Sequence, residues 1–334
     1  MSNSKGEKNM ERFQDLKVGI TGGAGFIGSH LVERLLTLGA DVVIIDNFLH
    51  GSKVEHLKGH KHLSMCEANI TDAEAMIKAL QDKDLIFHFA AVVGVEETQM
   101  DPLEVLSVEI QGTVNILNAV ANSNTKRIIF GSSSEVYGDS PEPMNEEDPF
   151  SPKSTYAVAK LVGEEYCKAF YHRHGIKYTI LRYFNIYGPR QDERFVISRF
   201  VNRTLANEPI SIYGDGEQTR DFTYIDDAVN MTLLATLEDK ASCQAINIGT
   251  DVTTTINELA HLTTKIINSK NPIKPVYVNY DDLRPREIEV FSRTADISKA
   301  RKLLQYEPET PLESGVRKYI DWYLEERDKL RRDF

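Results

Sequence analysis

Short runs of consecutive apolar residues alternate, in the first half of the chain, with segments whose apolar residues recur every three or four positions. The runs are typical of buried strands, and they fall at Lys17–Ile20, Val42–Ile45, Leu85–Phe89, Arg127–Phe130 and Tyr178–Leu181. Helical spacing fills the intervals, for example from Ile27 to Leu38. This alternation predicts an α/β fold with a doubly wound parallel sheet covered by helices on both faces.

After Gly188 the alternation becomes irregular, although Ala245–Gly249 still predicts one more strand of the sheet. The last part of the chain has mostly helical spacing and predicts a smaller lobe. The expected division is a flexible tail (1–15), a dinucleotide-binding domain (16–188, joined by 223–250) and a substrate-binding lobe (189–222 and 251–334). The cleft between the two lobes is the expected substrate site.

A glycine-rich loop, Thr21–Gly28, follows the first predicted strand and opens the first helix. This context indicates a Rossmann-type dinucleotide site, in which the glycines allow close approach to a pyrophosphate at the helix N-terminus. Asp46 ends the next strand, where a carboxylate accepts hydrogen bonds from ribose hydroxyls and repels a 2′-phosphate. The cofactor predicted is therefore NAD. The alternatives are a glycine turn without a ligand and an aspartate that only caps a turn.

Tyr156 and Lys160 stand four residues apart in a predicted helix and therefore share one face. An ammonium beside a phenol stabilises the phenolate, which can take a proton from a sugar hydroxyl while its carbon gives up hydride. The pair, downstream of a dinucleotide loop, predicts an oxidising enzyme that uses a nicotinamide cofactor.

Composition and net charge argue against several classes of partner, namely nucleic acids, metal ions and membranes. The net charge of −11 and the pI of about 5.4 argue against nucleic-acid binding. The three cysteines, and His56, His60 and His62, lack metal-ligand spacing, so no metal is expected. The polar N-terminus and the lack of a long apolar run predict a cytoplasmic protein that does not enter membranes.

The chain resembles the extended short-chain dehydrogenase/reductases, in their nucleotide-sugar epimerase/dehydratase branch, from about Lys17 to Tyr323. The matching segments are the glycine loop, Asp46–Phe48, His88–Ala91, Gly131–Gly138, the Tyr156/Lys160 pair, Leu181–Arg190 and Tyr213–Phe222. This many ordered matches are specific for the branch and much less specific for the reaction.

The resemblance implies that bound NAD is regenerated in each turnover and that the substrate is a nucleotide sugar, in the first place a UDP-sugar. It implies that Tyr156 deprotonates the sugar 4-hydroxyl, Lys160 contacts the nicotinamide ribose, and Ser133 orients the 4-oxygen. The implied cofactor contacts are Gly22, Gly25, Phe26, Ile27, Gly28, Asp46, Asn47, Asn69, Ile70, Phe89, Ala90, Ala91, Ser132, Tyr156, Lys160 and Tyr183. The implied substrate contacts are Gly94, Val95, Asn185, Arg194, Val196, Tyr213, Arg220 and Arg284. The alternative for Arg220 is a surface ion pair with Asp221.

Glu135, next to Ser133 and Ser134, bears on the reaction that follows oxidation. In the 4,6-dehydratases that this segment resembles, such a glutamate removes the C5 proton before water leaves C6. We therefore expect a dehydratase that acts on a UDP- or dTDP-hexose, with Ser134 and Glu135 in the catalytic set. The alternative is a 4-epimerase in which Glu135 is structural, hydrogen-bonded to backbone or to Tyr137. A UDP-glucuronate decarboxylase is a further reading, and a dinucleotide sensor without activity is disfavoured because Tyr156 and Lys160 are both present.

Two departures from the family pattern concern the sugar. Glu109 stands where the family usually has asparagine, and Glu96 and Glu97 follow Gly94-Val95. Negative charge near the sugar would disfavour a uronic acid. The apolar helices around Leu103–Val120 and Tyr156–Phe170 predict a homodimer, because the equivalent helices of the family pair between subunits; a thicker monomer core is the alternative.

Overall fold

Parallel strands and helices alternate through the first 250 residues. The computed structural model describes residues 10–94, 98, 100–267, 274–280 and 285–332. Its strands are β1 (Lys17–Thr21), β2 (Asp41–Asp46), β3 (Leu63–Glu67), β4 (Leu85–His88), β5 (Arg127–Ser133), β6 (Lys177–Tyr183), β7 (Ile186–Tyr187), β8 (Ser211–Tyr213), β9 (Thr219–Asp221), β10 (Thr223–Tyr224), β11 (Gln244–Ile248), β12 (Thr253–Thr255) and β13 (Val276–Val278).

The helices that connect and cover these strands follow the predicted spacing. They are α1 (Phe26–Thr37), α2 (Ala73–Leu80), α3 (Pro102–Leu106), α4 (Gly112–Ala121), α5 (Thr155–His174), α6 (Val196–Leu205), α7 (Ile225–Leu237), α8 (Ile256–Ile267), α9 (Ser298–Leu304) and α10 (Leu312–Arg332). A π-helical turn, Ser107–Gln111, joins α3 to α4. None of the described helices is long and apolar enough to cross a membrane.

The central sheet contains seven parallel strands in the order β3-β2-β1-β4-β5-β6-β11. Both faces are buried, because successive side chains of a strand point to opposite faces. Phe87 and Ile129 pack in one core, whereas their neighbours Ile86 and Ile128 pack in the other. The continuous apolar runs of the sequence follow from this double burial, and the predicted α/β fold is confirmed.

Strand β3 was not predicted. Its five residues, Leu63–Glu67, are half-buried or exposed, since it lies at the edge of the sheet beside β2. An edge strand with one neighbour lacks the apolar run that identifies the inner strands. By contrast, β11 pairs with β6 as the run Ala245–Gly249 predicted.

Beyond the large sheet the strands form short pairs, β7 with β10, β9 with β12 and β8 with β13. Helices α8, α9 and α10 lie within residues 251–334, for which the sequence predicts the smaller, mostly helical lobe. The predicted domain boundaries stay a prediction.

Candidate active site

The glycine loop lies where the order of the sheet reverses, between β1 and β4. Gly22 has a φ of +70°, and a Cβ there would lie 2.6 Å from the backbone nitrogen of Ala90 after β4. A Cβ on Gly28 would lie 2.2 Å from the Gly22 carbonyl oxygen. Gly25, the N-cap of α1, offers no side-chain cap, so the first N–H groups of the helix are left for a ligand. Such a crevice fits a dinucleotide pyrophosphate, with Phe26 and Ile27 in the first turn.

Asp46, at the end of β2, shapes this crevice. Its carboxylate accepts hydrogen bonds from the N–H groups of Ala24, at 3.0 Å, and Phe48, at 2.9 Å. The capping role considered as an alternative is therefore present, and the contact with a cofactor ribose stays a prediction. The neighbouring Asn47 accepts a bond from the Leu49 N–H at 3.1 Å.

The other predicted cofactor contacts lie at the carboxyl ends of β3, β4 and β6. Asn69 holds its own turn by accepting from the Thr71 N–H at 3.0 Å, and Ile70 is buried. Phe89 precedes Ala90 and Ala91 and packs edge-on against Tyr183, with ring centroids 5.9 Å apart. The Tyr183 hydroxyl lies 2.7 Å from the Thr232 hydroxyl.

Tyr156 and Lys160 occupy the first turns of α5, as predicted. Ser154 caps this helix by accepting from the Ala157 N–H at 3.1 Å. The Lys160 Nζ lies 5.5 Å from the centre of the Tyr156 ring, and the Ser133 hydroxyl lies close enough to Tyr156 to lower its pKa. The structure thus brings together the three residues that the resemblance assigns to C4 oxidation.

Glu109 completes this group. Its Oε2 lies 2.8 Å from the Lys160 Nζ, and both side chains are only 2% exposed. Its Oε1 accepts from the Val92 N–H at 2.8 Å. The carboxylate stands in the π-helical turn Ser107–Gln111. In the sequence, Glu109 is recognisable as a departure from the family pattern, but nothing there indicates that it pairs with Lys160.

The charges around Tyr156 oppose one another. Burial raises the pKa of Tyr156 well above its usual value, and Glu109 and Glu135 raise it further; the hydrogen bond from Ser133 and the charge of Arg293 lower it. Beneath Lys160, His88 bridges the hydroxyls of Thr21 and Thr113 at 2.8 and 3.0 Å. Burial, and then the charge of Lys160, lower the pKa of His88 to about 3, so its imidazole is neutral.

Glu135 follows β5 in a 3-10 turn, Ser134–Tyr137. Its Oε2 accepts from the Ser154 hydroxyl at 3.0 Å, and its Oε1 lies 3.6 Å from the Arg293 Nη1. Tyr137, the partner suggested by the structural reading of Glu135, instead donates to Asn247 at 2.6 Å. The carboxylate is therefore engaged by two side chains beside Tyr156.

Sequence reasoning missed Arg293. This residue is 8% exposed, and its Nε is buried without a hydrogen-bond partner among the described residues. Its carbonyl oxygen accepts from the Asp221 N–H at 2.9 Å, which ties the segment to β9. No motif or spacing surrounds it, so only the folded chain brings it to Glu135.

Ser132 and Ser134, the two serines that flank Ser133, are buried. The Ser132 hydroxyl donates to Glu164 Oε1 at 2.6 Å, and Glu164 forms a two-bond ion pair with Arg182 at 3.0 and 2.7 Å. Ser134 is 2% exposed. These contacts anchor α5 to β5 and β6, and the predicted cofactor contact of Ser132 stays a prediction.

Three of the predicted substrate contacts lie between β6 and the start of α6. Asn185 has a φ of +38° and donates to the Asp221 carbonyl at 3.0 Å. Arg194 donates to Asp192 at 2.8 Å and to the Val93 carbonyl at 3.4 Å, next to Gly94. Val196 begins α6.

Two further predicted contacts, Tyr213 and Arg220, belong to β8 and β9. Tyr213 stacks on Tyr280 with ring centroids 6.2 Å apart. Arg220 forms an ion pair with Glu289 rather than with Asp221. The predicted contacts Val95 and Arg284, and Glu96 and Glu97, lie outside the described residues.

No group of three or more histidine, cysteine, aspartate or glutamate side chains within the described ranges could hold a metal ion. His56 is paired with Glu33, and His62 with Asp41 at 2.6 Å. The site described above is thus built from phenol, ammonium, carboxylate and guanidinium groups.

Comparison with known proteins agrees with this geometry. The family described as GDP-mannose 4,6 dehydratase matches residues 20–319. The UDP-N-acetyl-alpha-D-glucosaminuronate decarboxylase of Bacillus cytotoxicus is 37% identical over 92% of this chain and 97% of its own length.

Solved structures are similar over the same extent. The UDP-glucose 4-epimerase of Thermotoga maritima, solved with UDP-glucose, is 35% identical, with a TM-score of 0.86 over 93% of this chain and all of its own. The UDP-glucuronic acid 4-epimerase of Bacillus cereus, solved with UDP-glucuronic acid and NAD, is 33% identical, with a TM-score of 0.86 over 93% of this chain and 99% of its own. The chain therefore belongs to the GDP-mannose 4,6-dehydratase family of extended short-chain dehydrogenase/reductases.

Proposed function

We propose that this protein is an NAD-dependent enzyme that oxidises C4 of a UDP-linked hexuronate and then releases the C6 carboxyl group as CO2. The observation that carries the proposal is Arg293, a buried cation beside Glu135 whose Nε donor has no acceptor in the described part of the chain. A guanidinium is suited to bind a carboxylate through several parallel hydrogen bonds. Relatives named as uronate decarboxylases and uronate epimerases support the same substrate class.

The first step uses the group around Tyr156. NAD, when bound in the crevice beside Gly22, accepts hydride from C4 and returns it. Tyr156 takes the proton of the 4-hydroxyl, and Ser133, which is near enough to lower the pKa of Tyr156, orients the oxygen. Lys160 holds the positive charge that favours the phenolate.

The second step follows from the chemistry of the oxidised sugar. A carboxylate on C5 next to a C4 ketone is a β-keto acid, and the C5–C6 bond breaks with its electron pair passing into the C4 carbonyl. Arg293 binds and orients the carboxylate before it leaves as CO2, while Tyr156, which carries the proton of the 4-hydroxyl, and Ser133 stabilise the negative charge that develops on the C4 oxygen of the enolate. A proton then adds to C5, and return of hydride to C4 would regenerate the oxidised cofactor.

Arg293 bears on the substrate that the charged residues of the sequence favour. Negative charge near the sugar disfavours a uronate, and the cation of Arg293 beside Glu135 is the observation that supports a uronate nevertheless. A neutral C6 hydroxymethyl group would offer this buried guanidinium a single uncharged acceptor, which binds it more weakly than the two oxygens of a carboxylate.

The 4,6-dehydratase is the second candidate, and Glu135 favours it. Its carboxylate lies beside Tyr156 and next to Ser134, where a base for the C5 proton of a 4-keto hexose is needed. Loss of water from C6 would then require a group that donates a proton to the leaving hydroxyl. Ser134 stands at the position of that group, and its side chain is buried, with 2% of its surface exposed.

One experiment separates these outcomes and the 4-epimerase. The full chain is incubated in deuterated water with UDP-glucuronate, UDP-N-acetylglucosaminuronate, UDP-glucose, UDP-N-acetylglucosamine and dTDP-glucose, and products are followed by mass and NMR. Loss of CO2 from a uronate with deuterium at C5 supports the decarboxylase. Loss of water from a neutral hexose supports the dehydratase, and an isomer of unchanged mass without deuterium supports the epimerase.

Cytoplasmic homodimers are the proposed form of the enzyme. The three cysteines are free thiols, as in a reducing compartment. Leu103 of α3 is 78% exposed and Val158 of α5 is 41% exposed, and both lie on the helices for which the sequence predicts subunit pairing. Covering these apolar side chains in a second subunit would be favourable.

A further inference from the structure

Glu109 is a buried acid in direct contact with the lysine of the oxidation step. The Lys160 ammonium has one anionic partner at 2.8 Å, and this partner is as buried as the lysine itself. Charges in such a low-dielectric place interact more strongly than at the surface. The carboxylate of Glu109 therefore offsets part of the positive charge with which Lys160 stabilises the Tyr156 phenolate.

The contacts of Glu109 fix it in this role. Its second oxygen accepts from the Val92 N–H, and its carbonyl oxygen accepts from the Thr113 hydroxyl at 2.5 Å. Thr113 in turn contacts His88. The residue stands in a π-helical turn, a feature frequently found at functional sites.

We propose that Glu109 is a positioning residue that holds the Lys160 ammonium beside Tyr156 and offsets part of its charge, so that Lys160 favours the phenolate of Tyr156 less strongly than an unpaired ammonium would. The inference rests on the oxidation step that every reaction proposed above shares, and not on the choice among them. Once Tyr156 has taken the 4-hydroxyl proton, a weaker pull from Lys160 makes it easier to return that proton to O4 when hydride is delivered back.

The other charged groups around Tyr156 do not replace this effect. Lys160 lies on the same helix, Glu135 follows β5, and Arg293 comes from the segment after β13, pairing with Glu135. His88, on β4, is neutral, because burial lowers its pKa to about 3. Among the described residues, Glu109 is the acid paired with Lys160, and it raises the pKa of Tyr156 more than Glu135 does.

The test measures the ionisation of Tyr156 in the full chain without any added sugar. Protein is labelled with 3-fluorotyrosine, whose phenol is more acidic than that of tyrosine, and titrated by 19F NMR; the Tyr156 signal is assigned by its loss in Y156F. Replacing Glu109 by Gln keeps an acceptor for the Val92 N–H but removes the charge. The expected result is a Tyr156 midpoint lowered by about one pH unit.

Controls separate charge from structure. E104Q removes an exposed carboxylate from α3 and is expected to leave the midpoint unchanged. E109N, the residue type usual in the family, serves if E109Q does not fold, and is expected to shift the midpoint in the same direction. An equal midpoint in wild type and in the folded Glu109 variant would overturn the proposal.

A second readout is the pH profile of cofactor reduction with UDP-glucuronate, followed by the absorbance of the reduced nicotinamide. Its acid limb is expected to move to lower pH in E109Q and to stay in place in E104Q. If UDP-glucuronate is not oxidised at all while the 19F midpoint shifts, the role of Glu109 stands and the proposed substrate fails.

Discussion

Arg293 Nη1 lies 3.6 Å from Glu135 Oε1, although 158 residues separate the two in the sequence. The pair joins the segment after β13 to the turn after β5, directly beside Tyr156. It gives the proposed sugar site both a carboxylate and a guanidinium. The identity of the second reaction step depends on which of the two groups acts on the substrate.

Replacing Arg293 by Gln is expected to separate the two steps. Without the guanidinium, the C6 carboxylate loses its binding partner, and CO2 release should fall by about 100-fold or more. Oxidation at C4 is expected to continue, so reduced nicotinamide should accumulate when UDP-glucuronate is added. CO2 release and absorbance are measured in parallel.

The matched control is R317Q, which removes an exposed guanidinium paired with Glu313 on α10. It should leave both signals unchanged, because exposed ion pairs contribute little. If R293Q releases CO2 at the wild-type rate, Arg293 has no part in decarboxylation.

Replacing Glu135 by Gln tests the dehydratase. With a neutral UDP-hexose in deuterated water, a dehydratase that uses Glu135 as its base would lose deuterium entry at C5 while C4 oxidation persists. The exchange is measured by NMR and the oxidation by absorbance. Retained exchange at the wild-type rate would remove Glu135 from the role of base and leave it as a partner of Arg293 and Ser154.

His88 is expected to make the fold sensitive to acid. Its pKa is about 3 in the folded protein and about 6.5 in an unfolded chain, so unfolding takes up one proton between these values. The contribution of the neutral imidazole is complete above about pH 6.5 and is lost as pH falls toward 3. From pH 7.5 to pH 5, the free energy of unfolding should decrease by about 2 kcal/mol from this group.

Urea unfolding at a series of pH values provides the measurement. H88Q keeps hydrogen-bonding groups between Thr21 and Thr113 but does not titrate. The slope of unfolding free energy against pH should therefore be smaller by about one proton in H88Q than in wild type between pH 5 and 6. Equal slopes would show that His88 titrates alike in both states.

Leu103 tests the predicted homodimer. A glutamate at this exposed position of α3 would place a charge in an apolar interface, so L103E should sediment as a monomer of 37.8 kDa while wild type sediments at twice that mass. I77E introduces the same charge at an exposed site of α2 and should remain a dimer. A monomeric wild type would contradict the prediction.

The parts of this site that could be predicted were local in sequence. Tyr156 and Lys160 meet because four residues make about one helical turn, and the strands were visible because both faces of the sheet are buried. Arg293 could not be found in this way, since a contact between distant segments leaves no periodic signal. The same holds for the partners of Arg220 and Lys160, which are Glu289 and Glu109.

Strand β11 is the last strand of the central sheet to be synthesised. It pairs with β6 at the edge of the sheet. The side-chain oxygen of Asn247, in β11, accepts a hydrogen bond from the Tyr137 hydroxyl. The backbone N–H of Asn247 donates to Glu146 at 2.8 Å. During translation, β6 leaves the ribosome with an open edge until residues 184–243 have followed. A fragment ending before Gln244 would keep that edge, with its unpaired N–H and C=O groups, open to association with other chains. Any shortened version made to study the cofactor half must therefore carry this late strand with it.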